Sequence, residues 1–437
     1  MTTKLREDII PTNMNQKSAQ IPAELETKLE WFQDQKLGII FHWGLYTETA
    51  MGESWQLVKN ADWLRKGKVW RDDLDTLRVD YWDRIKEFNP VNFNPNEWAQ
   101  ICKKNGVKYV VFTTKHHDGF TLYDTAESDF KVTSKQCPNH QNPQADIYRA
   151  VKDAFQKEGM GFGAYYSKPD WHSPYYWIPG KDADSSIANY NPLEKPDIWQ
   201  KFNDFAHAQI KEICCDYGNL DILWLDGGWV NASNNEFLDM NTIISDVRKE
   251  NPDLIVADRT IGGVYENYRT PEQQVPEKII YEPWESCITL ADNWCYLEDD
   301  KYKGFPEVLE MLMEIVSKGG NLLLGMGPKM DGTLPGKSVA ILDELGDWLA
   351  IFGQGIYESR PVESQPPGGI YLTKKEDATY LYYRHELVGE PIDLVALGIE
   401  TNSTMSLESE QEHLIQNHIL ELPATEHFIG CCRIKTK

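Results

Sequence analysis

The stretch DILWLDGGW, residues 221–229, decides the fold. ILWL is an uninterrupted apolar run, too short for a helix. It has no polar residue on either side of the pleat, as a strand covered on both faces requires. Asp226 follows the run directly, and two glycines and a tryptophan come next. An Asp at that place either caps the next helix or stands at the open end of a parallel strand, where such folds carry their chemistry. The glycines would let a ligand approach the backbone closely.

Six further runs share this texture: KLGIIF (36–41), KYVVF (108–112), GFGAYY (161–166), DLIVA (253–257), KIIYE (278–282) and NLLLG (321–325). Amphipathic segments lie between them. In 146–158, Ile147, Ala150, Val151, Ala154 and Phe155 fall on one helical stripe that Gly159 ends, and Val339, Leu342, Leu345, Trp348 and Leu349 repeat it. Strands alternating with helices over this length predict an α/β fold, a (β/α)8-like barrel, with a doubly wound open sheet as the alternative. No GxGxxG or GxxxxGK[ST] follows a strand, which removes the main nucleotide-binding reason for the open sheet. Polar and aromatic residues collect at the run ends: HWG, KHHD, YYS, DGGW and DR. From about residue 355 short β-like runs with Gly and Pro punctuation replace the helical stripes. The expected division is a catalytic barrel over 1–354 and a small antiparallel β-domain over 355–437.

Composition narrows the function. The net charge of −24 argues against nucleic acid or an anionic membrane as partner. The chain carries 15 Trp and 21 Tyr, more than packing usually asks for. The N-terminus has no uninterrupted apolar stretch of signal-peptide length, and nothing approaches the ~18 apolar residues of a membrane span. None of the eight cysteines stands in a CxxC, and two pairs are adjacent. Reduced thiols in a cytoplasmic protein are expected, a trimmed secreted form being the other reading.

Two stretches carry candidate chemistry. KHHDGFTLYDT (115–125) puts four titratable side chains after an apolar run. Adjacent strand residues point to opposite faces, so His116 and His117 are poorly placed to chelate one ion. HExxH and zinc or iron ligand spacings are absent. Where the strand bends into a loop, both rings can reach a ligand with several hydroxyls; one packed and one surface histidine is the plainer reading. The stretch 255–296 supplies Arg259 at a strand end and two carboxylates, Glu272 in RTPEQQVP and Glu285 in PWES. A glycosidase needs two carboxyl groups. Sugars present apolar C–H faces to aromatic rings and hydroxyls to His, Arg and carboxylates.

At these residues the sequence resembles the α-L-fucosidases of glycoside hydrolase family 29. The resemblance runs from about 27 to 360 through WFQDQKLGIIFHWGLY (31–46), YVVFTTKHHDGFTLYDT (109–125), GFGAYYS (161–167), DILWLDGG (221–228), DRTIGGVYENYRTPEQQVP (258–276), WESCITLADNWCY (284–296) and GGNLLLGMGPKMDGTLP (319–335). It implies a barrel with a C-terminal β-sandwich, hydrolysis of terminal α-L-fucose with retention, fucosylated oligosaccharides or glycoconjugates as partners, and neither metal nor organic cofactor. It places the nucleophile on Asp226 and the sugar-holding roles on His42, His116, His117, Tyr165, Trp224 and Arg259. Glu272 is the first choice for the acid/base and Glu285 the second. Trp294 or Trp224 would cover the C5-methyl. Three positions depart from the pattern. The Glu-Trp pair after HWG, expected among the substrate-binding residues, appears as Glu53-Ser54-Trp55, Cys295 replaces a glycine, and Gly325 stands where Asn is common.

Two other readings remain at this point. A fucose-binding protein with a silent site is disfavoured because Asp226 and both glutamates are intact. A metal-dependent hydrolase built on the His pair would lose activity to a chelator. Linkage preference and oligomeric state are open.

Overall fold

The computed structural model describes residues 23–435 apart from 50, 62–70, 72, 260–263, 365, 377, 400, 402 and 416. The N-terminal stretch read for a signal therefore lies outside the described residues. Seven strands form one parallel sheet: β1 (Leu37–Phe41), β2 (Tyr109–Lys115), β3 (Gly161–Ser167), β4 (Ile222–Asp226), β5 (Ile255–Asp258), β6 (Glu285–Thr289) and β7 (Asn321–Met326). Their spatial order is β5-β4-β3-β2-β1-β7-β6, so consecutive strands are neighbours except β5 and β6, which form the two ends of the curled sheet.

The side β5–β6 is closed by irregular chain. Residue 266 bridges Ala257 of β5 antiparallel, while Arg269 and Glu272 bridge Trp284 and Cys287 in parallel. Backbone bonds hold this insert on both sides: Asn267 N–H donates to Val256 O at 2.8 Å and Cys287 N–H to Pro271 O at 3.1 Å. A chain that meets one neighbour antiparallel and the other parallel needs no crossover helix. None stands between β5 and β6 among the described residues.

Elsewhere helices cover the sheet: α1 (Glu26–Gln35) before β1, α2 (Leu74–Asp83) and α3 (Pro95–Lys104) before β2, α4 (Ile147–Lys157) before β3, α5 (Pro196–Lys211) before β4, α6 (Met240–Val247) before β5, α7 (Phe305–Ser317) before β7, and α8 (Gly336–Phe352) after it. Both helices expected from their stripes are present as α4 and α8. Asp146 caps α4 by accepting from Arg149 N–H, and Asn94 caps α3 the same way.

The continuous apolar runs split by pleat into two cores. Ile40, Tyr109, Val111, Tyr165, Trp224 and Leu323 fill the barrel interior, while Ile39, Val110, Phe112, Tyr166, Leu223 and Leu225 face the helices. Leu25, Leu29 and Phe32 plug the interior from below. Their complete burial is worth about 1.5–3 kcal/mol each.

KIIYE does not form the expected strand. Tyr281 is 59% exposed, and Ile280 only leans on the core from outside. Strand β6 is ESCIT instead. Its polar start hid it: Glu285 and Ser286 are buried because partners satisfy them.

The second sheet begins at Arg360–Pro361 and runs antiparallel. It contains β8 (Arg360–Pro361), β9 (Ile370–Lys375), β10 (Ala378–Arg384), β12 (Ser403–Ser406), β13 (Glu412–Leu414) and β15 (Ile429–Lys435). A two-stranded sheet, β11 (Pro391–Asp393) with β14 (Ile419–Glu421), accompanies it. Along β10, Tyr380 and Tyr382 join the barrel-side core, while Leu381 and Tyr383 join a core of their own, which makes the region a sandwich. Trp348 of α8 donates its indole N–H to Ile429 O at 2.8 Å across the junction. Among the described residues no helix is long and apolar enough to cross a membrane.

Candidate active site

Asp226 is the last residue of β4, and its side chain enters the barrel mouth with 22% of its surface exposed. Oδ1 accepts from Arg259 Nη1 at 2.8 Å, and Oδ2 accepts from the Tyr165 hydroxyl at 2.7 Å. Burial alone would push its carboxyl up. The Arg259 guanidinium foremost, with the Tyr165 hydroxyl, outweighs that and brings it down to about 2. Asp226 is therefore a fixed anion. It does not cap a helix: the next one, α6, is capped by Asp239.

Gly227 adopts φ of +83°, and a Cβ there would meet Pro169 Cδ at 2.2 Å. This glycine is required by the chain packed on it, rather than by an approaching ligand as the sequence implied.

Arg259 follows β5 and gives its other nitrogen, Nη2, to Glu272 Oε2 at 2.6 Å. Its Nε donates to Thr270 Oγ1 at 3.2 Å, and its plane lies 4.3 Å from the Trp224 ring centroid. The closing insert carries both Thr270 and Glu272 to this place. One guanidinium thus spans two carboxylates, Asp226 and Glu272, which are 46 positions apart in sequence (272 minus 226). The Glu272 side chain is 29% exposed at the mouth.

Glu285 is elsewhere. It is fully buried at the start of β6, below the mouth. Its Oε1 accepts from Trp224 Nε1 at 2.7 Å and its Oε2 from the Tyr109 hydroxyl at 2.6 Å. Burial raises its carboxyl to about 7 against the pull of these bonds. Trp224 exposes only 2% of its surface and stacks on Tyr165 at 5.4 Å, so it forms the floor under Asp226.

The histidines occupy the opposite wall. Strand β2 ends at Lys115, and in the bend beyond it the rings of His116 and His117 lie 4.1 Å apart. The His116 Nδ1 pairs with the Ser54 hydroxyl and His117 Nδ1 with the Ser167 hydroxyl. His117 Nε2 stands 3.8 Å from Asp226 Oδ2. His42, after β1, packs 4.9 Å from Trp294 and 5.3 Å from Tyr165. Burial pushes His42 down to about 3 and His117 to about 4, against the attraction of Asp226, and lowers His116 as well. All three rings are neutral at ordinary pH. Among the described residues no three His, Cys, Asp or Glu groups stand where they could hold one metal ion.

The three departures from the family pattern have physical readings. The serine inside Glu53-Ser54-Trp55 is the residue that reaches His116. Glu53, on its other side, accepts from the backbone N–H groups of Trp294 at 2.9 Å and Cys295 at 3.0 Å, which pins that loop. Trp55 stacks edge-on to His117 at 5.2 Å. Gly325 makes room for Trp294, because a Cβ there would meet the indole at 2.6 Å. Cys295 is buried and contributes its backbone N–H.

Sequence reasoning missed Ser54, Ser167, Tyr109, Thr270 and Trp229, whose ring lies 5.0 Å from His117. Of these, Ser167 in YYS and Trp229 in DGGW carried a signal, both standing just past the apolar run of a strand.

The sequence profile of the Alpha-L-fucosidase family matches residues 8–354. An α-L-fucosidase of Dictyostelium discoideum is 28% identical over 398 residues, 86% of this chain and 81% of that protein. Among solved structures, α-L-fucosidase isoenzyme 1 of Paenibacillus thiaminolyticus superposes with a TM-score of 0.79 at 29% identity, covering 95% of this chain and all of that one. The Thermotoga maritima α-fucosidase in complex with fucose gives 0.74 at 25% identity, covering 93% and 96%. With four-fifths of its length matched by one family and the same barrel and sandwich in its neighbours, this chain belongs to the α-L-fucosidase family of glycoside hydrolases.

Proposed function

We propose that this chain is a retaining exo-α-L-fucosidase that removes terminal α-linked L-fucose from oligosaccharides or glycoconjugates by double displacement. The observation that carries the reading is the single guanidinium shared by Asp226 and Glu272. It sits over an aromatic floor and opposite three neutral histidines.

In the first step Asp226 attacks the anomeric carbon while Glu272 protonates the departing glycosidic oxygen. The depressed carboxyl of Asp226 suits it to attack as an anion. Neutralising Asp226 in the glycosyl intermediate removes one of the two charges that Arg259 holds. Water then attacks the anomeric carbon and releases fucose from Asp226, while Glu272, still beside Arg259, accepts the proton of that water. Retention needs the carboxyl groups ~5–5.5 Å apart, a spacing that a bridging guanidinium suits.

Glu285 is a poor proton donor for this chemistry, because both its oxygens are engaged beneath Trp224 and it is fully buried. His42, His116 and His117 as neutral rings can exchange hydrogen bonds with sugar hydroxyls. Trp294, partly open beside His42, would cover the C5-methyl, a contact worth about 1–3 kcal/mol of selectivity.

The test is proton NMR of an aryl α-L-fucoside digest before mutarotation. The α-anomer of fucose should appear first. First appearance of the β-anomer would mean single displacement, and no release of fucose would remove the reading.

A further inference from the structure

We propose that Ser167 is a positioning residue that locks His117 in the tautomer with its proton on Nδ1. His117 Nε2 then offers the pocket a lone pair and reads a hydroxyl donor on the ligand.

Hydrogen-bond bookkeeping carries this. Ser167 Oγ lies 2.8 Å from Pro169 O and 2.6 Å from His117 Nδ1. Pro169 O is a carbonyl and can only accept, so the single hydroxyl proton of Ser167 goes to it. The Ser167 oxygen is left as an acceptor toward His117, which must supply the proton from Nδ1. The opposite assignment would set two acceptor oxygens 2.8 Å apart with no proton between them. Ser167 is 0% and His117 1% exposed, so water does not relieve the choice.

A neutral ring has one N–H, and with Nδ1 protonated the Nε2 atom is bare. Nε2 stands 3.8 Å from Asp226 Oδ2, too far for a bond between them. Two acceptors therefore face the same space, and the group that fits between them is a donor. A neutral polyol ring meets that need through a hydroxyl near its reacting carbon, and this part rests on the proposed function. Tyr165 and Arg259 already donate to Asp226, so the carboxylate has no call on an imidazole proton.

The test reads the tautomer directly. In protein labelled with nitrogen-15 histidine, long-range imidazole correlations distinguish protonated from bare ring nitrogens. The His117 signal is assigned by its absence in His117→Asn. At neutral pH the wild type should show a protonated Nδ1 and a bare Nε2. In Ser167→Ala the proton should move to Nε2 in a measurable fraction of molecules. kcat/KM on an aryl α-L-fucoside should fall roughly tenfold or more, mostly through KM, as for other partners that orient a histidine.

A protonated Nε2 in the wild type overturns the proposal whether or not Ser167→Ala folds. So does Ser167→Ala with wild-type tautomer and kinetics. If the tautomer is as stated but no fucoside is cleaved, the lock stands and the proposed function falls.

Discussion

Glu285 lies directly beneath Trp224, its Oε1 accepting the indole N–H at 2.7 Å. Trp224 in turn carries Arg259 over its ring and Tyr165 against it, and both of those bond Asp226. The buried carboxylate is thus a foundation of the site rather than a member of it.

Its proton affinity gives a stability prediction. Burial raises the folded Glu285 from 4.5 to about 7, so the stability it confers is complete below 4.5 and is lost as pH rises through about 7. His42 and His117 act in the opposite sense. They are held neutral down to about 3 and about 4, while the unfolded chain takes up protons from 6.5 downward, so stability drains as pH falls through that window. Glu285→Gln should therefore flatten the alkaline side of the Tm-versus-pH curve and leave the acid side as it was. Curves for wild type and variant that run parallel throughout would exclude this role of Glu285.

The choice of proton donor is testable by leaving group. Glu272→Gln should lower kcat/KM on natural fucosides by about 10²–10⁴-fold. Aryl fucosides whose leaving group needs no proton should suffer far less in the glycosylation step. If Glu285→Gln shows that pattern and Glu272→Gln does not, the two roles exchange.

Gly325 offers a test away from the charges. Gly325→Ala sets a methyl against Trp294, which sits 2.6 Å from the position that Cβ would take. Overpacking of this kind costs about 1–3 kcal/mol. Because Trp294 can yield toward the pocket, the cost should appear as a KM raised about tenfold, equivalent to about 1.4 kcal/mol, with kcat little changed. Unchanged KM would mean that Trp294 does not meet the sugar.

Much of this was legible in the sequence because parallel strands buried on both faces write themselves as continuous apolar runs. Six of the seven runs became strands. The one that failed, KIIYE, is apolar but lies outside, and its replacement ESCIT begins with a glutamate whose burial depends on Tyr109 and Trp224. Composition cannot show such a clasp, because the partners come from β2 and β4. The same holds for the mouth. Asp226, Arg259 and the histidines announced themselves at strand ends. Ser54 and Ser167, which orient the rings, are ordinary residues until distance gives them a role. The insert that brings Glu272 beside Arg259 has no periodicity at all, since it is held by backbone bonds to two different strands.

The most direct measurement concerns the anion at the end of β4. Asp226→Gly should leave a folded protein that no longer turns over an aryl α-L-fucoside. Added azide, entering the space of the lost carboxylate, should restore partial turnover and yield the β-fucosyl azide. Ordinary hydrolysis by the purified variant, or rescue that yields only the α-azide, would contradict Asp226 as the nucleophile.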